Sequence, residues 1–260
     1  MEKIIVQVRN VAIGEGQPKI CIPLTGKTEG EIRSSLRAVL KSRPDLIEWR
    51  ADDFRQVHDE ESVLNMLSEI RSAAGDIPIL FTVRTKKEGG HASFDADEYV
   101  TLNRAVCRSG DADMIDCELF SGEETAAEVI ANAHEYDVRV VLSNHDFQKT
   151  PGRDELVGRM CRMQELGGDI LKIAVMPASR EDVLTLLEAT SVMYGTYAVQ
   201  PLITVSMSPA GVISRICGES FGSAVTFASA AEPSAPGQLD AAVLRKILEE
   251  IHRNIKSESV

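Results

Sequence analysis

No stretch of this sequence is apolar for long enough to cross a membrane. The opening run Met1-Glu2-Lys3-Ile4-Ile5-Val6-Gln7-Val8-Arg9 lacks the apolar core length of a signal peptide. Cationic excess is missing too: the formal net charge is −12, which argues against nucleic acid or an anionic membrane as a general partner. Five cysteines, at positions 21, 107, 117, 161 and 217, are odd in number and form no C-x-x-C pair. That pattern speaks against a disulfide framework or a zinc knuckle and for reduced thiols in a cytosol. There is no G-x-S-x-G elbow, no H-E-x-x-H pair and no Walker loop. No linker or shift in composition divides the chain, so one domain is expected over residues 1–260. What is present, 43% hydrophobic and 26% charged residues, is the composition of an ordinary globular protein with a substantial core.

Short β-branched runs alternate with longer amphipathic ones. Lys3 to Arg9 reads as a strand, and Asn10 to Pro18 as a turn or hairpin. From there the predicted strands are Lys19–Leu24, Asp45–Arg50, Ile79–Arg84, Met114–Leu119, Val138–Ser143, the run within Asp169–Pro177, Leu202–Met207 and Ala224–Phe227. Helical patterns follow each of them, from Thr28–Lys41 to a last helix over Asp240–Asn254, with Asp52-Asp53, Glu60-Glu61 and Glu123-Glu124 read as solvated helix starts and not metal sites. Eight strand–helix units imply a parallel sheet with right-handed crossovers. The expected fold is α/β, a (β/α)₈ TIM barrel with an N-terminal β-hairpin closing one end. An open doubly wound sheet is the runner-up, weakened because no glycine-rich dinucleotide fingerprint follows the first strand.

The residue with most chemical content is Lys172, in the middle of Asp169-Ile170-Leu171-Lys172-Ile173-Ala174-Val175-Met176-Pro177. Such a run reads as a strand buried on both faces. Burial disfavours an ammonium, and an amine with a lowered pKa can attack a ketone and form an imine. The plainer reading is a lysine whose stem packs on the sheet while its head reaches water. The company at the other strand ends weighs against it, because barrel chemistry sits at the carboxyl ends of the strands. Those ends read Glu48 and Arg50, Arg84, Glu118, His145, Lys172 and Met207, with Glu48 and Arg50 on one face, and Ser143 and His145 likewise. An imidazole titrates near neutrality and can take and return a proton. Glu88, in the loop Arg84-Thr85-Lys86-Lys87-Glu88-Gly89-Gly90, could orient that imidazole or simply be exposed. Arg50, Arg84 and Arg215 are candidates for bidentate carboxylate or phosphate recognition, or else surface partners of the excess acid groups.

With these residues in place the chain resembles the type I 3-dehydroquinate dehydratases, shikimate-pathway enzymes on the route to chorismate and the aromatic amino acids. The resemblance runs nearly end to end. It is carried by Leu46-Ile47-Glu48-Trp49-Arg50-Ala51-Asp52, Phe81 to Gly90, Leu142-Ser143-Asn144-His145-Asp146-Phe147, Leu171 to Pro177, Gly211-Val212-Ile213-Ser214-Arg215 and Ser234-Ala235-Pro236-Gly237-Gln238. It implies a (β/α)₈ barrel, often dimeric, cytoplasmic and working without metal or organic cofactor on a small-molecule substrate, 3-dehydroquinate. It implies Lys172 as the Schiff-base lysine, His145 as general acid and base, and Glu88 as its partner. Glu48, Arg50, Arg84, Arg215, Ser234 and Gln238 would contact substrate, while Pro23 stands where some members carry a serine. A class I aldolase, which typically also needs a phosphate cradle, and a non-catalytic metabolite-binding barrel remain as alternatives. The loop from Ser229 to Gln238, rich in small residues, is expected to act as a lid.

Overall fold

The computed structural model describes residues 2–230 and 237–257. Two short strands come first, β1 (Val6–Val8) and β2 (Val11–Ile13), paired antiparallel as a hairpin. Then follow β3 (Lys19–Leu24), β4 (Leu46–Arg50), β5 (Ile79–Thr82), β6 (Met114–Glu118), β7 (Arg139–Asp146), β8 (Ile170–Val175), β9 (Leu202–Ser206), β10 (Val225–Ser229) and the short β11 (Leu239–Asp240). The helices are α1 (Glu29–Lys41), α2 (Glu60–Ala74), α3 (Ala96–Ser109), α4 (Glu123–Glu135), α5 (Arg153–Glu165), α6 (Arg180–Val192), α7 (Ile213–Ile216), α8 (Gly218–Phe221) and α9 (Ala241–Ser257).

Strands β3 to β9 pair in parallel in chain order, and β10 pairs with β3. The seam between β9 and β10 is held by a Leu202–Ser223 bridge, with the Ala224 N–H donating to the Leu202 carbonyl at 2.7 Å. The sheet is therefore curled into the expected (β/α)₈ barrel, not an open sheet. The element starts follow from local chemistry. Thr28 caps α1 by accepting from the Glu31 N–H, Asp95 caps α3 in the same way, and Ser179 with Asp182 forms a complete capping box on α6.

Strand alternation divides the core in two. Outward side chains such as Trp49 and Phe81, in T-shaped contact at 5.6 Å, pack against the helices. Inward apolar residues near the strand starts, Leu46, Leu80, Met114, Val141, Ile170 and Ile203, fill the base of the barrel. Val6, Val8 and Ile13 of the hairpin join that cluster, so β1 and β2 plug the amino-terminal end. Burying this end leaves the carboxyl ends of the strands as the open mouth. β11, absent from the sequence reading, pairs with the end of β10 (Ala228 with Leu239) and returns the chain to that mouth. Ser234 and most of the expected lid, residues 231–236, lie outside the described residues.

Candidate active site

Polar side chains on the inner face become buried one pleat above the apolar base. Lys172, 4% exposed, points inward from the middle of β8. Its Nζ lies 3.0 Å from Oε1 of Glu48 on β4 and 3.1 Å from Oδ2 of Asp116 on β6, and 4.7 Å from the ring centroid of Phe227. The head turns inward, and the side chain is only 5% exposed. The expectation of a lowered pKa is overturned. Burial works to lower it, but Glu48 and Asp116 outweigh that and hold the ammonium above its ordinary value. The resting lysine is charged because its surroundings are not apolar.

Asp116 is a buried partner of Lys172 that the sequence reading missed. Its side chain is fully buried, and it is met by Lys172, by Arg84 Nη2 at 2.7 Å and by the Ser143 hydroxyl at 2.7 Å. Burial alone would raise its pKa, yet Arg84, Lys172 and Ser143 keep it down at about 2. Attention to strand ends selected Glu118. Stepping two residues back along β6 would have placed a second carboxylate on the same face, beside the lysine.

Arg84, also buried, is engaged chiefly by protein acids. Nη1 donates to Glu118 at 2.8 Å and to Ser143 at 3.1 Å. Arg50 is clamped by both oxygens of Asp52, at 2.8 and 2.9 Å. This corrects the reading of Asp52 as a solvated helix start: its side chain is fully buried and also accepts the backbone N–H groups of Arg84 and His91. Asp52, Asp53 and His91 bring possible ligand atoms within 4.8 Å of one another, but Asp52 has both oxygens occupied by Arg50.

Glu88 is buried, not exposed on its loop. A single turn, Lys86–Glu88, ends in Gly89 at φ +83, and Gly90 donates back to the Thr85 carbonyl at 2.8 Å. A Cβ on Gly89 would stand 2.3 Å from the Phe147 ring, and one on Gly90 would stand 1.9 Å from the Arg84 carbonyl. Only glycine lets the turn fold this tightly, and the tight fold carries Glu88 under His145. Glu88 Oε2 lies 3.0 Å from His145 Nδ1 and accepts the His145 backbone N–H at 2.9 Å; Oε1 accepts from Asn144 Nδ2 at 3.1 Å.

Burial, with help from Glu118 and Asp116 and against Arg84 and Asn144, lifts the Glu88 carboxyl to about 7. Burial, with Arg84, Lys172 and Arg50, holds His145 well below the usual imidazole range. Both shifts work in one direction, toward a neutral imidazole beside a carboxyl close to half ionised at neutral pH.

Glu48, Arg50, Arg84, Glu88, His145 and Lys172 all border one cavity of about 570 Å³, open mouth included, together with Arg215 and Gln238. Pro23 and Phe147 also border it. Arg215 enters from α7, is 2% exposed, and has its pKa drawn down to about 10 by burial. The cavity thus brings together an amine, an imidazole–carboxylate pair and three guanidinium groups.

The family model for type I 3-dehydroquinase matches residues 20–255. A 3-dehydroquinate dehydratase of Clostridioides difficile is 50% identical over 250 residues, 96% of this chain and 98% of that protein. One of Bacillus licheniformis is 47% identical over 253 residues, covering 97% of this chain and 100% of that protein. Among solved structures, a type I 3-dehydroquinate dehydratase from Clostridium difficile with covalently modified comenic acid superposes with a TM-score of 0.94, at 50% identity, over 97% of this chain and 99% of that chain.

Proposed function

The chain belongs to the type I 3-dehydroquinase family, and from that premise we propose that its 3-dehydroquinate dehydratase activity in the shikimate pathway runs through an imine on Lys172. The observation that carries the assignment is the single buried lysine between two carboxylates in a cavity shared with His145 and Glu88.

The substrate is a cyclic keto acid with a hydroxyl β to the ketone. Lys172 must first lose a proton. Glu48 Oε1, 3.0 Å from Nζ, is within reach to take it. The free amine adds to the ketone carbon, and loss of water leaves an iminium. This cation makes the neighbouring C–H acidic, and Nε2 of His145 removes that proton to give an enamine. The enamine's electron pair returns and expels the hydroxyl, which leaves as water with the proton from His145. Hydrolysis of the conjugated iminium releases 3-dehydroshikimate and restores the lysine. The net change is loss of one water. Arg215 pairs with the substrate carboxylate, and Arg50, Arg84, Gln238 and Ser234 bind ring substituents. Arg84 also fixes Asp116 and Glu118. No step needs a metal or organic cofactor. The family and the five unpaired thiols support a cytosolic homodimer.

The product is a conjugated ketone, so its ultraviolet absorbance measures the reaction directly. Absence of that signal on adding 3-dehydroquinate would refute the activity; cleavage of a carbon–carbon bond instead would favour an aldolase. The same assay yields a pH prediction. Above about 7 Glu88 is ionised and accepts from Nδ1–H, leaving Nε2 as the base. Below it, the protonated carboxyl donates to Nδ1 and the ring proton moves to Nε2, where it blocks the base. The rate should therefore rise as pH increases through about 7, and Glu88→Gln should remove that limb at a milder cost than loss of His145. An unchanged limb in Glu88→Gln would assign it to another group.

A further inference from the structure

Consecutive residues of β7 face opposite sides of the barrel wall. His145 borders the cavity, whereas Asn144, 2% exposed, meets α5, from which Arg159 Nη1 donates to its Oδ1 at 2.6 Å. Arg159 is itself held by Glu155 of the same helix and stacks 5.4 Å from the Phe120 ring centroid. A guanidinium carries no acceptor, so the amide can meet it only through oxygen and must turn its NH₂ toward Glu88. That NH₂ donates to Glu88 Oε1 at 3.1 Å, while the backbone N–H of His145 fills Oε2 at 2.9 Å. Each carboxylate oxygen is thus met by a donor that cannot reverse its role. A proton on Glu88 has one acceptor left, Nδ1 of His145 at 3.0 Å.

We infer that Asn144, oriented by Arg159 from outside the barrel wall, is a positioning residue that holds Glu88 as a hydrogen-bond acceptor and so keeps Nε2 of His145 free of a proton. The inference rests on the proposed role of His145 as the base. The charged groups around Glu88 pull in opposite directions. Arg84 stands 3.6 Å away and favours the carboxylate. Glu118 and Asp116 from β6 oppose it, and burial opposes it most. On the imidazole side, Lys172 and Arg50 bear on His145, while Lys86 and Lys87 of the same turn are exposed. A donor added to one oxygen, or taken away, is enough to tip a carboxyl in that position.

The test measures kcat and KM against pH for the full-length enzyme and for Asn144→Asp, Arg159→Met and His145→Ala. It adds ¹⁵N spectra of the histidine rings, with the His145 signals identified by their loss in His145→Ala. Asn144→Asp keeps the shape but replaces the donor with an acceptor. Its acid limb should move to higher pH by about one unit, with kcat falling about tenfold on that limb and KM changing far less. Arg159→Met frees the amide to rotate and should move the limb the same way by a smaller amount. It carries the test should Asn144→Asp fail to fold. In the unmodified enzyme, on the alkaline side of the limb, the His145 ring should carry its proton on Nδ1. A proton on Nε2 there, or superimposable limbs in the enzyme and the folded variants, would overturn the inference while leaving His145 as the base. Near-normal turnover in His145→Ala would overturn both the inference and the reading beneath it.

Discussion

Lys172→Met should abolish dehydration of 3-dehydroquinate, leaving no ultraviolet signal above the uncatalysed rate. The reason is covalent: methionine matches the lysine stem but has no amine to add to the ketone, and no other lysine borders the cavity among the described residues. The substitution should also weaken the fold, which an apolar strand by itself would not suggest. Methionine would face Glu48 and Asp116, two buried carboxylates that lose a cation at 3.0 and 3.1 Å. Removing one partner of a buried ion pair costs about 3–5 kcal/mol, and Arg84, which still pairs with Asp116, keeps the loss toward the lower end. The sign of its pH dependence follows. Without the cation the carboxylates ionise less readily in the folded state, so the stability gap between the two proteins should narrow as pH falls. Thermal unfolding at two pH values checks this. Substantial turnover by Lys172→Met would remove the lysine from the chemistry.

His145→Ala is expected to have the second largest effect. General acid–base catalysis contributes roughly 10²–10⁴-fold, and in the proposed mechanism the same ring serves proton removal, departure of the hydroxyl and turnover of the imine, so the loss should reach at least that range. KM should change much less, since the proposed binding of substrate rests on the guanidinium groups and not on the imidazole. With the imine steps slowed, substrate should accumulate on the lysine and be trapped by reductant in larger yield during turnover. Near-normal rates would mean that another group moves the proton.

The barrel was legible in the sequence because its signals are local. Thr28, Asp95 and Ser179 stand where helices must start, and apolar runs of strand length alternate with them. The burial of Lys172 was legible for the same reason. Its charge state was not, because Glu48 and Asp116 lie 124 and 56 residues away and only barrel closure brings them to Nζ. Asp52 looked like a helix start until Arg50 folded back on it. Glu88 was picked out by the resemblance, since by itself a glutamate in a glycine loop reads as exposed; the space taken by Phe147 and Arg84 against Gly89 and Gly90 explains its burial. Asn144 and Arg159 carried no sequence signal of this kind. Their role is visible only in who donates to whom.

Borohydride reduction in the presence of 3-dehydroquinate, followed by mass spectrometry, decides whether Lys172 forms the imine. One added mass of reduced ligand per chain is expected, located on the peptide containing Lys172 and absent when substrate is omitted. Label on Lys86, Lys87 or Lys149 instead, or a fully active enzyme that traps no ligand, would rule the imine on Lys172 out.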